Sequence, residues 1–270
     1  MIIVKVPGLN NLNRNNGCRN AGNAIIENLK EVYSSEDGKI IDKKFLNIEE
    51  IHADNENLGE QEKLIYKNSK EILEDNDRAV FLGGDHSISF PIGRAFSDYC
   101  RNIEKEPCLI VFDAHADCCK PGKEPTHEEW LRALIENGFP KENVLLVGIR
   151  NLWRDELVFL SKNKIKKIGI DELSNNIEDV TDTIMEFGSG KDKELYVSID
   201  IDAADPVFAP STGYKEVGGL SSRQILYIIK RLSKIKNLKA VDIVEINSED
   251  DRKTGNLTVK LGSRLLAELL

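Results

Sequence analysis

Apolar residues gather in short continuous runs at 2–6, 79–82, 109–112, 144–147, 167–170, 195–199 and 240–246, with a weaker run at 44–48. Runs that are continuous rather than alternating predict strands buried on both faces, as in a parallel sheet. Between them lie polar-apolar stretches with helical spacing, among them 60–74, 128–137, 221–234 and 257–270. Strand and helix signals that alternate in this way predict a doubly wound α/β domain with helices on both sides of a central, mainly parallel sheet of about eight strands. No internal repeat, low-complexity tract or linker interrupts the pattern, so residues 1–270 read as a single domain.

In a parallel sheet, ligands collect at the carboxyl ends of the strands. The residues at those ends are unusual here. The run at 79–82 leads into G-G-D-H and His86, and the run at 109–112 into D-A-H-A-D, with Asp113, His115 and Asp117. The run at 144–147 leads to Arg150, the run at 195–199 to Asp200 and Asp202, and the last run carries Glu245. Parallel topology alone would bring nearly every reactive side chain to one edge.

Residues at i, i+2 and i+4 of an extended segment point the same way. Asp113, His115 and Asp117 can therefore converge, as can Asp200 and Asp202, while Gly83 and Gly84 open a turn that allows close backbone approach before His86. Four carboxylates in a crevice would be forced to protonate or to bind cations. Two divalent ions balance them, and carboxylate plus imidazole without thiolate favours Mn²⁺, Fe²⁺ or Co²⁺ over structural zinc, with Mn²⁺ the expected ion. Two adjacent metals make hydroxide available near neutral pH, which points to hydrolysis at an unactivated carbon or phosphorus. Taken singly, each string has a plainer explanation: acids after a strand often cap the next helix.

Composition narrows the partners. The chain has 270 residues, 40% of them apolar, and a formal net charge of −9. That charge argues against nucleic-acid binding, which needs Lys and Arg to replace phosphate counterions, and fits a small cationic ligand. No segment is apolar enough for a membrane helix, and no signal peptide is evident. Five cysteines without a C-x-x-C pair suit a reduced, cytoplasmic protein.

The blocks G-G-D-H-S, D-A-H-A-D, S-I-D-I-D-A-A-D-P-V-F-A-P and V-E-I-N resemble, in order and spacing, the signatures of the ureohydrolase (arginase/agmatinase) family. The likeness runs from G-C-R-N-A-G-N-A-I at 17–25 to T-V-K-L-G-S-R-L-L near the end. It implies an arginase-like, three-layer α/β/α fold, two Mn²⁺ per subunit, homo-oligomers (trimers or hexamers), and hydrolysis of a guanidino group to an amine plus urea. His86, Asp113, His115, Asp117, Asp200 and Asp202 then stand as metal ligands. Asp117 also stands as acceptor of the proton released by the nucleophile. Glu245 would clamp the substrate guanidinium; a carboxylate matches it with two charge-assisted hydrogen bonds. His127, in P-T-H-E-E-W, resembles the histidine that relays a proton to the departing amine, a general-acid role. The plainer alternatives are an exposed acid for Glu245 and, for His127, a histidine at a helix start capped by Thr126. His52 matches nothing and reads as a surface residue.

Several departures bear on substrate. The region D-C-C-K-P-G-K-E-P-T-H lacks the serine with which arginases hold the amino-acid end of arginine, and Trp153 stands where they tend to carry an Asp. The spacing of His127 and Arg132 is nearer to agmatinases, although H-E-E replaces their H-G-T. Glu128 and Glu129 read as acids of a helix first turn, or else as partners of a cationic substrate tail. Ser211 and Ser248 replace a usual Gly and Pro, and Cys118 and Cys119 read as small packing residues. Agmatine is the expected substrate. Arginine, guanidinobutyrate and formimidoylglutamate are the alternatives, beside a metal-dependent deacylase and a non-catalytic family member.

Overall fold

The computed structural model describes residues 1–270. Eight strands form one sheet: β1 (Ile2–Val6), β2 (Ile48–Glu50), β3 (Ala79–Gly83), β4 (Glu106–Phe112), β5 (Val144–Ile149), β6 (Lys166–Gly169), β7 (Lys193–Asp200) and β8 (Leu238–Val244). Their order is β2-β1-β3-β8-β7-β4-β5-β6, and every pairing is parallel. The helices are α1 (Ala21–Asn28), α2 (Leu58–Asp75), α3 (Ser89–Asn102), α4 (Trp130–Glu136), α5 (Arg154–Asn163), α6 (Ile170–Asn175), α7 (Ile177–Gly188), α8 (Ser222–Leu232) and α9 (Leu257–Leu269).

Two hydrophobic cores sandwich the sheet, which explains the continuous apolar runs. On β4, Cys108, Ile110 and Phe112 enter the core under α1 and α6 to α9, while Leu109 and Val111 enter the one under α2 to α5. On β3, Val80 and Leu82 take the first face, and Ala79 and Phe81 the second. Full burial of a side chain such as Phe81 contributes about 1.5–3 kcal/mol. A capping box starts α8: Ser221 Oγ accepts from Gln224 N at 3.2 Å, and Gln224 Oε1 accepts from Ser221 N at 2.9 Å. No helix is long and apolar enough to cross a membrane.

Two expectations need correction. The weak run at 44–48 is not a strand: residues 43–45 make a tight helical turn capped by Asp42, whose carboxylate accepts from Lys44 N at 3.0 Å. The edge strand follows as β2, largely exposed and paired only with β1. Nor does the helix expected at 128–137 begin at Glu128. Glu129 accepts from Thr126 N and Gly122 N, both at 3.2 Å, and Thr126 Oγ1 accepts from Glu128 N at 3.3 Å. These bonds fold 126–129 into a turn, α4 starts at Trp130, and Thr126 is not its cap.

The strands β3, β8, β7 and β4 are neighbours in the middle of the sheet. The chain runs outward in one direction through β1 and β2 and in the other through β4, β5 and β6. The crevice between, at the carboxyl ends, is the topological switch point at which such sheets bind ligands.

Candidate metal centre

His86 follows β3 after a turn that only glycine permits. A Cβ on Gly84 would lie 1.8 Å from Gly8 O, inside any tolerable contact. Asp113, His115 and Asp117 follow β4, Asp200 ends β7, Asp202 lies in the turn after it, and Glu245 follows β8. Asp117 and Glu245 both hold a positive φ, at 49° and 66°. Such strain in non-glycine residues persists where the surroundings over-determine it.

Five of the six candidate ligands form two groups that share Asp113, and Asp117 stands beside the first, against His86. His86, Asp113 and Asp200 offer atoms within 4.8 Å of one another, and so do Asp113, His115 and Asp202. Asp113 Oδ2 faces His86 Nδ1 at 3.1 Å, and Asp113 Oδ1 faces His115 Nδ1 at 3.4 Å. His86 Nδ1 also lies 3.0 Å from Asp117 Oδ2 and 3.3 Å from Asp200 Oδ2, and His115 Nδ1 lies 3.0 Å from Asp202 Oδ2. Yet His86 Nδ1 and Asp113 Oδ2 are buried with no hydrogen-bond partner. Orphaned buried polar atoms are rare and costly. An acceptor nitrogen and a carboxylate oxygen aimed at one point from different strands fit a cation between them.

The charges agree. Burial and the neighbouring Asp113 push the Asp117 carboxyl up to about 8. Burial, then Asp202 and Asp113, hold Asp200 well above the usual carboxylate range. Burial and Asp113 also raise Asp202. Burial opposes charge on His86 and His115, but the carboxylates around them outweigh it and raise both imidazoles. Burial likewise opposes charge on Asp113, but His115 and His86 outweigh it and hold that carboxyl low. Without a cation the cluster must store protons; with one it need not.

Supporting bonds set the donor atoms. Ser198 Oγ donates to Asp242 Oδ1 at 2.7 Å, and His86 Nε2 lies 2.9 Å from the same Oγ. The serine proton is committed, so Oγ accepts from His86 Nε2–H and leaves Nδ1 for the cation site. Asp242 is fully buried and satisfied by Ser89, Tyr196, Ser198 and Ile199 N. Such outer partners are worth about 10–100-fold in metal affinity. Ser198→Ala is therefore expected to weaken divalent-metal binding by about that factor, read by a metal titration; unchanged affinity would remove Ser198 from this role. Trp130 Nε1 donates to Asp117 Oδ2 at 2.8 Å.

One cavity of about 310 Å³ opens onto this cluster. His127 and Glu245 line it with His86, His115, Asp117, Asp200 and Asp202, and Asp113 lies buried beneath. Glu245 Oε1 accepts from His86 N at 2.9 Å, and Oε2 accepts from Asn15 Nδ2 at 2.5 Å. Burial raises its pKa against these donors. His127 is buried, Nδ1 lies 3.4 Å from Asn10 O, and Nε2 has no partner. Glu128 also lines the cavity, which corrects its reading as a helix first-turn acid, whereas Glu129 is tied up in its turn. Cys118 is buried packing, but Cys119 reaches the cavity wall. Arg132 points elsewhere, paired with Glu136 at 2.8 Å and over the Phe159 ring. The His52 side chain is 93% exposed, as expected of a surface residue.

A model of the arginase family matches residues 1–270. The chain belongs to the arginase family. Among relatives of this family, an arginase from Staphylococcus aureus (strain MSSA476) is 29% identical, covering 91% of this chain and 88% of that one. A formimidoylglutamase from Bacillus subtilis has the same fold, with a TM-score of 0.86 at 21% identity over 99% of this chain and 85% of that one. A hypothetical agmatinase from Burkholderia thailandensis gives 0.83 at 25% identity over 99% and 83%. Arginase-family membership makes this a hydrolase of amidino or guanidino carbon–nitrogen bonds. Its relatives carry different substrate names, so specificity must be sought in the cavity.

Proposed function

We propose that this chain is a binuclear-manganese hydrolase that cleaves agmatine to a diamine plus urea, as a single ureohydrolase-like domain. The sharing of Asp113 between two converging donor groups, beneath a cavity that also holds Glu245 and His127, carries this reading. His86, Asp113, Asp117 and Asp200 would hold one ion, and Asp113, His115 and Asp202 the other. When bound, the pair would lower the pKa of a water and so supply the nucleophile.

The chain's own groups do the rest. Glu245, fixed by His86 N–H and Asn15, accepts two N–H groups of the guanidinium and sets its carbon over the cluster. Asp117, held by Trp130, would take the proton released as the new C–O bond forms. His127 lines the cavity, its Nδ1 faces the Asn10 carbonyl and its Nε2 has no hydrogen-bond partner; it would deliver a proton to the amine nitrogen as its bond to the guanidino carbon breaks.

The charge of the cavity walls favours a cationic tail. Glu128, Glu156 and Glu216 line the cavity, and no lysine or arginine does. A terminal ammonium meets carboxylates there, whereas the carboxylate of arginine, guanidinobutyrate or formimidoylglutamate meets like charge. The test is a screen of these compounds with manganese-loaded protein, with urea or ammonia detected. Agmatine should give the highest kcat/KM; preference for an acid-tailed substrate would overturn the assignment. In the same assay His127→Ala should lower kcat about 100- to 10,000-fold, the range of a lost general acid, and an unchanged kcat would exclude the relay.

A further inference from the structure

His115 is crowded on one side and nearly bare on the other. Its Nδ1 faces Asp113 and Asp202, the shared and the distal carboxylates of the second donor group. Its Nε2 faces Glu216 Oε1 at 3.4 Å. For a neutral imidazole to offer Nδ1 to a cation, Nε2 must carry the hydrogen, and that hydrogen needs an acceptor. Glu216 supplies it.

Glu216 is itself held in place. Asn151 Nδ2 donates to Glu216 Oε1 at 2.7 Å. Arg150 Nη2 donates to Glu216 O at 2.7 Å and to Asp202 O at 2.6 Å, so one guanidinium ties the backbone beneath Glu216 to the backbone beneath Asp202. Tyr214, two residues earlier in the same loop, sets its ring edge-on to His115 at 5.6 Å between centroids. His86 has its Ser198–Asp242 relay in the buried floor, whereas His115 receives its partner from a loop at the cavity rim.

From this geometry we infer that Glu216 is the positioning residue of His115: it fixes the imidazole with Nδ1 toward the second cation site, and Arg150 and Asn151 hold it there. The inference rests on the two-cation reading and concerns the affinity of one site only. Outer-shell carboxylates on a ligating histidine are worth about 10–100-fold in metal affinity, and here the loss should fall on the ion held by His115 and Asp202 alone.

The experiment is a manganese titration of substrate-free protein, with unbound Mn²⁺ counted by its paramagnetic resonance signal. Wild type should take up two ions. Glu216→Ala should keep the tighter or looser site of His86 unchanged and weaken the other 10- to 100-fold. Glu216→Gln, whose amide oxygen still accepts from Nε2–H, should lose less. Asn151→Ala, which frees the Glu216 carboxylate without removing it, should weaken the same site. Glu216 is partly exposed at the rim, and an unchanged thermal melt of the metal-free variants would show the fold intact. Wild-type affinity at both sites of Glu216→Ala, or equal weakening of both, would overturn the assignment. Fewer than two ions on wild-type protein would overturn the two-cation reading and this inference together.

Discussion

Asp113→Asn is expected to bind fewer than two manganese ions and to release urea at least about 1,000-fold more slowly than wild type, the loss of several kcal/mol of charge stabilisation. Asp113 is the one carboxylate common to both donor groups, with Oδ2 toward His86 and Oδ1 toward His115. The amide keeps its size and one acceptor oxygen but puts N–H donors where a cation would sit. Manganese should raise the melting temperature of wild type, since it binds only the folded state, and that rise should shrink or vanish in the variant. Metal content, rate and melting shift must change together. Full activity with two ions bound would show that Asp113 bridges nothing.

Glu245→Gln should separate substrate binding from metal binding. A guanidinium held by two hydrogen bonds to a carboxylate gains about 1.5–3 kcal/mol from each charged bond. Gln keeps one acceptor oxygen but not the charge, so the loss of one to both charged bonds corresponds to roughly a 10- to 10,000-fold fall in kcat/KM for agmatine. Manganese stoichiometry should stay at the wild-type value, because Glu245 belongs to neither donor group. Gln retains an oxygen for His86 N–H, so the turn before His86 survives. An unchanged kcat/KM, or a loss of manganese equal to that of Asp113→Asn, would contradict the clamp.

Much of this site was legible because its information is local. D-A-H-A-D has the period of an extended segment, S-I-D-I-D repeats it, and both stand at the ends of apolar runs that parallel topology gathers at one edge. The order of the strands was not legible, since it depends on which runs pair across long separations. The partners that hold the site were hidden for the same reason. Asn15 meets Glu245 across 230 positions and Glu216 meets His115 across 101, with no pattern near either to announce it. Asp242 is different. A charge within A-V-D-I-V, a strand buried on both faces, needs internal partners, and that signal was there to be read. Glu128 was misplaced because its position looked helical, whereas the capping bonds of Thr126 and Glu129 turned it into the cavity wall.

The most direct test is diffraction from crystals grown with manganese, with anomalous scattering recorded at the manganese edge. Two peaks are predicted, one on each side of the Asp113 carboxylate, one against His86 Nδ1 and the other against His115 Nδ1. A single peak, or peaks away from these atoms, would contradict the account.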